Sequence, residues 1–232
     1  MNRSNLESTV LDAEPTGRVV AAELASLALP PPRATSKGVL PATFLDQLFR
    51  LARTYNEWSS RDVDEQTIHE LYELFKWAPT ASNTNPARFV WVKSAVGKAK
   101  LSALAMGANQ AKILAAPVTA IIGYDLEFPE TMPKLFPARG EALRELFRPP
   151  EMAEATAKRN SSLQGAYLIL AARALGLDCG PMSGFDNAGV DREFFAGTRI
   201  QSNIICSLGY GKPGTPFPRN PRLSFEEAGR WA

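Results

Sequence analysis

A single histidine in 232 residues closes off several chemistries at once. With His69 alone, Ser-His-Asp and Cys-His hydrolases are disfavoured, and a histidine/cysteine zinc centre lacks ligands. His69 itself falls on a predicted helix beside the apolar stripe, a solvated position. The two cysteines, Cys179 and Cys206, are far apart in the chain and match neither a redox pair nor a metal-ligand spacing. Charge of one sign is also scarce: 26 Lys and Arg against 24 Asp and Glu leave a net +2, too little to argue for nucleic acid or an anionic membrane. Basic residues that matter must therefore act locally. No apolar run is long enough to span a bilayer, there is no secretory signal, and Glu7, Asp12, Glu14 and Glu23 argue against a transit peptide, so cytoplasm is the expected location. No Walker A motif or internal repeat occurs. What remains, 45% hydrophobic and 22% charged residues, is ordinary for a soluble globular protein of one domain, or one domain and a tail.

Residues 1–40 differ from the rest. Ser, Thr and Pro dominate, and Pro30-Pro31-Pro32 ends a short Val/Ala/Leu stretch; this is an N-terminal extension, either flexible or an arm lying on a partner subunit. The domain proper is 41–232. From Pro41 the spacing of Phe44, Leu45, Leu48, Phe49 and Leu51 is helical. Asp64 is an N-cap for a second helix that buries Ile68, Leu71, Tyr72 and Phe75 and stops at Pro79. Phe89–Val92 reads as a strand, followed by helices around Lys98–Met106 and Gln110–Ala115 and by a β-branched central strand, Val118–Gly123. Residues 126–150, with their prolines and aromatics, read as a lid or connecting region. The longest helix spans roughly Met152–Leu175. Leu163, Ala166, Tyr167, Leu170 and Ala174 form one stripe, and Leu168, Ile169, Ala171 and Ala172 fill most of the other face. A helix apolar on all sides is expected to be buried on all sides, within one chain or at a subunit interface. Ile204–Leu208 is a third strand. The sum is an α+β fold with helices around a small sheet.

Gly209-Tyr-Gly211-Lys-Pro-Gly214 matches the dinucleotide-binding pattern, but that turn must open a helix whose N-terminus holds the pyrophosphate. Pro213, Pro216, Pro218 and Pro221 forbid it. Four other segments, Arg53-Thr-Tyr-Asn-Glu-Trp58, Pro79-Thr-Ala-Ser-Asn-Thr-Asn-Pro86, Cys179-Gly-Pro-Met-Ser-Gly-Phe-Asp186 and Arg219-Asn-Pro-Arg222, combine cations, amides and a predicted glycine-flanked turn that brings bare backbone N–H groups to a flat ligand. Each has an ordinary explanation alone: a C-terminal helix arginine, a linking turn, a helix cap, a solvated basic loop. Together they suit the phosphate, ribityl chain and flat ring of a flavin mononucleotide.

In chain order these segments resemble the nitroreductase superfamily over nearly all of 41–230. Pro79–Val92, Ala115–Asp125, Leu163–Phe195 and Pro216–Glu227 look most like its malonic semialdehyde reductase branch. The resemblance implies an FMN-binding homodimer with a small, mostly antiparallel sheet, flanking helices and the long central helix at the dimer interface. It places Arg53, Thr54 and Asn56 at the phosphate and ribityl element, Asn56 standing where a cation is usual. Thr80, Ser82 and Asn83 fall in a Pro-Ser-x-x-Asn element that reaches the flavin, commonly from the partner subunit; Ala81 and Asn85 depart from its frequent Ser and Gln. Asn109 falls near an asparagine at the flavin edge. Met182, Ser183 and Gly184 occupy a Pro-Ile-Glu-Gly element whose backbone N–H faces N5, and Arg219 with Arg222 supply C-terminal phosphate-binding cations. The implied activity is ping-pong hydride transfer through flavin N5, from NADPH or NADH to a small aldehyde, malonic semialdehyde, giving 3-hydroxypropionate. Arg88, Lys112 or Arg159 would meet the substrate carboxylate. The alternatives are a nitroaromatic or quinone reductase, and a non-catalytic flavin-binding module suggested by Asn56, Ala81 and Ser183.

Overall fold

The computed structural model describes residues 38–232. The expected N-terminal extension lies outside them, save its last three residues.

Four strands form one antiparallel sheet: β1 (Ala87–Val92), β2 (Val118–Asp125), β3 (Asp178–Met182) and β4 (Ile200–Gly209), in the order β1-β2-β4-β3. Helices cover both faces. On one lie α1 (Glu65–Phe75) and α2 (Pro150–Ala174), packed over Val118, Ala120, Ile122, Cys206 and Leu208. On the other, Ile121, Met182 and Ile205 meet Leu101, Ile113, Val190 and Phe195. The split follows from the two-residue period of a strand, which sends Ala120 and Ile122 one way and Ile121 the other. With helices on both sides, β2 is buried along nearly its whole length, and that is why it reads as a continuous apolar run rather than an alternating one.

The N-cap expected at Asp64 is present, its carboxylate accepting from the Thr67 N–H at 2.7 Å. The Gly-x-Gly-x-x-Gly segment opens no helix: β4 ends at Gly209 and turns follow. Other expectations need correction. The segment from Cys179 is not a turn. The chain turns earlier, at Gly176 with φ +76°, which frees Asp178–Met182 to pair with β4 as the sheet's edge strand. Pro181 is tolerated there because its missing N–H would point away from β4. The first predicted helix is only a turn, Ala42–Leu45, running into a π-helical turn, Asp46–Arg50, with Phe44, Phe49 and Leu51 exposed. Tyr72 of α1 stands out from the core. The 126–150 region is ordered into short helices, Met132–Leu135 and Gly140–Phe147, around Phe128 and Met132. A further helix, Asn187–Phe194, escaped the sequence reading.

The long helix α2 is buried on one side only. Ala157, Gln164, Leu168 and Ala172 face the sheet, whereas Leu163 is 44% and Tyr167 39% exposed. Among the described residues no layer covers that outer side, so the apolar stripe Leu163–Ala174 is left partly exposed. Leu168→Ala should cost about 2–5 kcal/mol in urea unfolding. Leu163→Ala should alter the stability of the isolated chain far less, a contrast read from the shift in denaturation midpoint.

Candidate functional site

Residues 52–56 run along the outer edge of β3. Thr54 bridges to Cys179 in parallel sense, and the Tyr55 N–H donates to the Cys179 carbonyl at 3.0 Å. Gly180 makes this approach possible, since a Cβ there would lie 2.6 Å from the Tyr55 carbonyl oxygen. The docked segment delivers Arg53, Thr54 and Asn56 to one wall of a cleft of about 520 Å³. The C-terminal loop supplies the opposite wall, with Phe217, Arg219, Asn220 and Arg222.

Arginines tie the two walls together. Arg53 donates to the Phe217 carbonyl, and Arg219 reaches back to the carbonyls of Arg50 (2.7 Å) and Ala52 (3.0 Å). Arg222 bonds the carbonyls of Asn220 and Pro221, both at 3.0 Å. Guanidinium carries five N–H groups, so each retains donors for a ligand. All five sequence-predicted residues of the phosphate end thus meet in one place.

Two cations in this cleft had no phosphate role in the sequence reading. Lys112 lies one helical turn beyond Asn109 on Asn109–Ala115, and Arg173 stands in the last turn of α2. Arg173 donates to the Leu48 carbonyl at 2.9 Å, but its Nε is buried with no hydrogen-bond partner. A buried guanidinium N–H without an acceptor is costly and calls for one. The sequence signal for Arg173 was only that of a cation complementing a helix C-terminus.

At the other end of β3, the Gly184 carbonyl is held by two donors, the Met106 N–H (2.9 Å) and Asn109 Nδ2 (3.1 Å). Among the described residues nothing accepts from the Gly184 N–H. A Cβ at Gly184 would stand 2.9 Å from Asn109 Nδ2. Met182 is buried in the core and Ser183 is exposed beside it. Because Asn109 and Lys112 are neighbours on one helix face, this helix joins the Gly184 region to the cation cleft.

Thr80, Ser82 and Asn83 lie elsewhere. Their loop leads into β1, at the sheet edge opposite β3, and Asn83 lines a separate cavity of about 480 Å³ with Trp77, Phe89 and Leu135. Its backbone is strained, with φ of +49° at Ser82, +57° at Asn83 and +39° at Asn85. Buried amides of α2 hold it: Asn160 accepts from the Ala81 N–H at 2.8 Å, and Gln164 from the Ala87 N–H at 2.9 Å.

A model of the nitroreductase family matches residues 52–212, the span that carries the sheet, the Arg53 segment and Gly184. The chain belongs to the nitroreductase family. Relatives named as candidate NADH dehydrogenase/NAD(P)H nitroreductases include one from Caulobacter sp. (strain K31), 61% identical, covering 82% of this chain and 97% of its own. Another, from Rhodopseudomonas palustris (strain TIE-1), is 57% identical over 82% of this chain and 97% of its own. Among solved structures, a candidate nitroreductase from Exiguobacterium sibiricum 255-15 in complex with FMN superimposes with a TM-score of 0.75 at 19% identity, over 85% of this chain and all of its own. A Bacillus subtilis candidate nitroreductase gives a TM-score of 0.75 at 20% identity, over 83% and 100%. Nitroreductases therefore share this fold. No described helix is long and apolar enough to cross a membrane, and no cluster of His, Cys, Asp or Glu among the described residues could hold a metal ion.

Asp178, at the start of β3, accepts from the Gly211 N–H at 2.8 Å. Burial raises its carboxyl pKa, opposed by that hydrogen bond and by Arg173. The folded state then binds protons more tightly than the unfolded one, so this group lowers stability as pH rises from its unfolded value of about 3.9 through the raised folded value. Asp178→Asn keeps an acceptor without the charge. Relative to wild type, the variant should gain stability in urea melts as pH increases across that window, and an unchanged difference from acid to neutral pH would contradict it.

Proposed function

We propose that this nitroreductase-family chain is an FMN-dependent NAD(P)H oxidoreductase acting as a homodimer, with malonic semialdehyde as its acceptor and 3-hydroxypropionate as product. The observation that carries the reading is the convergence of Arg53, Thr54, Asn56, Arg219 and Arg222 in one cleft, joined by the unpartnered Nε of Arg173. Arg173 supplies the charge that Asn56 does not, which weighs against a decayed, non-catalytic site. The names of the relatives support NAD(P)H as reductant.

When bound, FMN supplies hydride transfer at N5. The residues then have separable roles. Arg53, Arg219 and Arg173 hold the phosphate with charge-assisted hydrogen bonds, Thr54 and Asn56 offer polar contacts to the ribityl chain, and the free Gly184 N–H is the donor for the ring. Asn109 fixes the Gly184 carbonyl on the peptide unit that follows that donor. Among the cations considered for the substrate carboxylate, Arg88 is paired with Asp125 at 2.7 Å and Arg159 is exposed on α2, whereas Lys112 sits between the phosphate end and Gly184. Lys112 is the residue assigned to it.

The partner subunit is required because Thr80, Ser82 and Asn83 belong to the opposite edge of the sheet from Arg53 and Gly184. One chain cannot bring both to a single flavin; a second copy, packed on the bare stripe of Leu163 and Tyr167, can. The strained backbone at Ser82 and Asn83 suits a loop held ready for a ligand. A second reading, reduction of nitroaromatics or quinones, is favoured by the relatives' names.

Purified protein should be yellow, dimeric and bleached by anaerobic NAD(P)H, with kcat/KM for malonic semialdehyde exceeding that for a nitroaromatic. A larger value for the nitro compound would select the second reading, and colourless protein that takes up no FMN would defeat both. Arg219→Ala should weaken FMN binding by roughly 1.5–3 kcal/mol, about ten- to 150-fold in Kd. Gly184→Val should abolish flavin uptake, since its added methyls meet Asn109 and stand where the ring would approach.

A further inference from the structure

The cleft holds more positive charge than one phosphate monoester can neutralise. Arg53, Lys112, Arg173, Arg219 and Arg222 line it, and no Asp or Glu does. None of the five forms an ion pair with a described residue, although Arg50, Lys76, Arg88, Lys93, Lys100, Arg144, Arg148 and Lys212 all do. No carboxylate lines the cleft to balance them. A phosphate monoester brings about two negative charges at neutral pH. With Lys112 assigned to the substrate carboxylate, roughly two cations remain uncompensated, and like charges gathered in a partly desolvated cleft repel one another.

Resting on the FMN reading, we infer that the surplus cations receive a second phosphate monoester, the 2′-phosphate that distinguishes NADPH from NADH, so that the enzyme prefers the phosphorylated reductant. Arg222 is the residue best placed for it. Arg53 and Arg219 clamp the two walls of the cleft together, and Arg173 reaches Leu48 from below. The guanidinium of Arg222, by contrast, bonds only carbonyls of its own loop through one nitrogen, leaving Nε and the second terminal nitrogen without a protein acceptor. It is exposed at the rim of the cleft, where an incoming dinucleotide would meet it first. Planar, bidentate donation from arginine suits a phosphate group.

The test is anaerobic flavin reduction followed by stopped flow, in excess FMN so that occupancy is constant, with NADPH and NADH at low and high ionic strength. Wild type should favour NADPH by about tenfold or more in kcat/KM, as expected for an added charge-assisted contact. That preference should shrink with salt, as the attraction at an exposed rim is screened. Arg222→Gln should reduce the NADPH/NADH ratio several-fold through the concentration dependence for NADPH, and 2′-AMP should compete with NADPH more strongly than 5′-AMP does. Equal use of the two nucleotides, a preference for NADH, or a ratio unmoved in Arg222→Gln would overturn the inference while leaving the FMN reading intact. Absence of flavin uptake would instead remove the reading on which it rests.

Discussion

The site depends on a short backbone contact at the edge of the sheet. Where Tyr55 meets Cys179, the segment from Ala52 to Asn56 is fixed beside β3, and every cation of the N-terminal wall takes its position from that contact. A side chain at residue 180 would prevent it, and a carboxylate among residues 217–222 would neutralise the arginines that reach across. Pro181 matters in the same way. Its outward position has no N–H, so the neighbouring segment gains nothing by continuing along the strand.

Much of this was legible in the sequence because the decisive residues are chemically uncommon for their neighbourhoods. Arginines in a proline-fixed loop, amides packed between two prolines and glycine beside Ser183 each carry a local signal, and the family resemblance put them in order. The phosphate-end residues do meet. Gly-x-Gly-x-x-Gly was rejected for the right reason, since antiparallel β4 is followed by turns and not by a helix.

The failures have physical causes too. Gly-Pro within Cys179–Met182 has the look of a turn, because a proline signals a break unless the strand lies at an edge with its N–H side outward, and edge position is a property of topology that no local window contains. The long helix left two readings open, burial within one chain or at a subunit interface, and the described residues of one chain leave Leu163 and Tyr167 partly exposed. Periodicity shows that Leu163, Tyr167 and Leu170 form a stripe, yet whether another chain covers that stripe is decided by how many layers the single chain provides. Arg173 carries no local signal beyond that of a basic residue at a helix C-terminus; the burial of its unpartnered Nε is visible only in the fold.

The loop from Thr80 to Asn85 connects these points. Positive φ at a non-glycine residue costs on the order of 1–3 kcal/mol and persists where surrounding structure over-determines it. Here the over-determining groups are Asn160 and Gln164, amides almost wholly buried on the sheet-facing side of α2, each bonded to a backbone N–H of the loop or of the strand it enters. Apolar residues would pack there more cheaply. Retaining two amides at the centre of the helix means that α2 does two jobs along its length: its polar middle holds the Ser82 loop at one edge of the sheet, and its last turn presents Arg173 at the other. A single rigid helix thus sets the spacing between the Ser82 loop and the Arg173 cleft, and among the described residues its outer stripe of Leu163 and Tyr167 stays partly exposed along the same length.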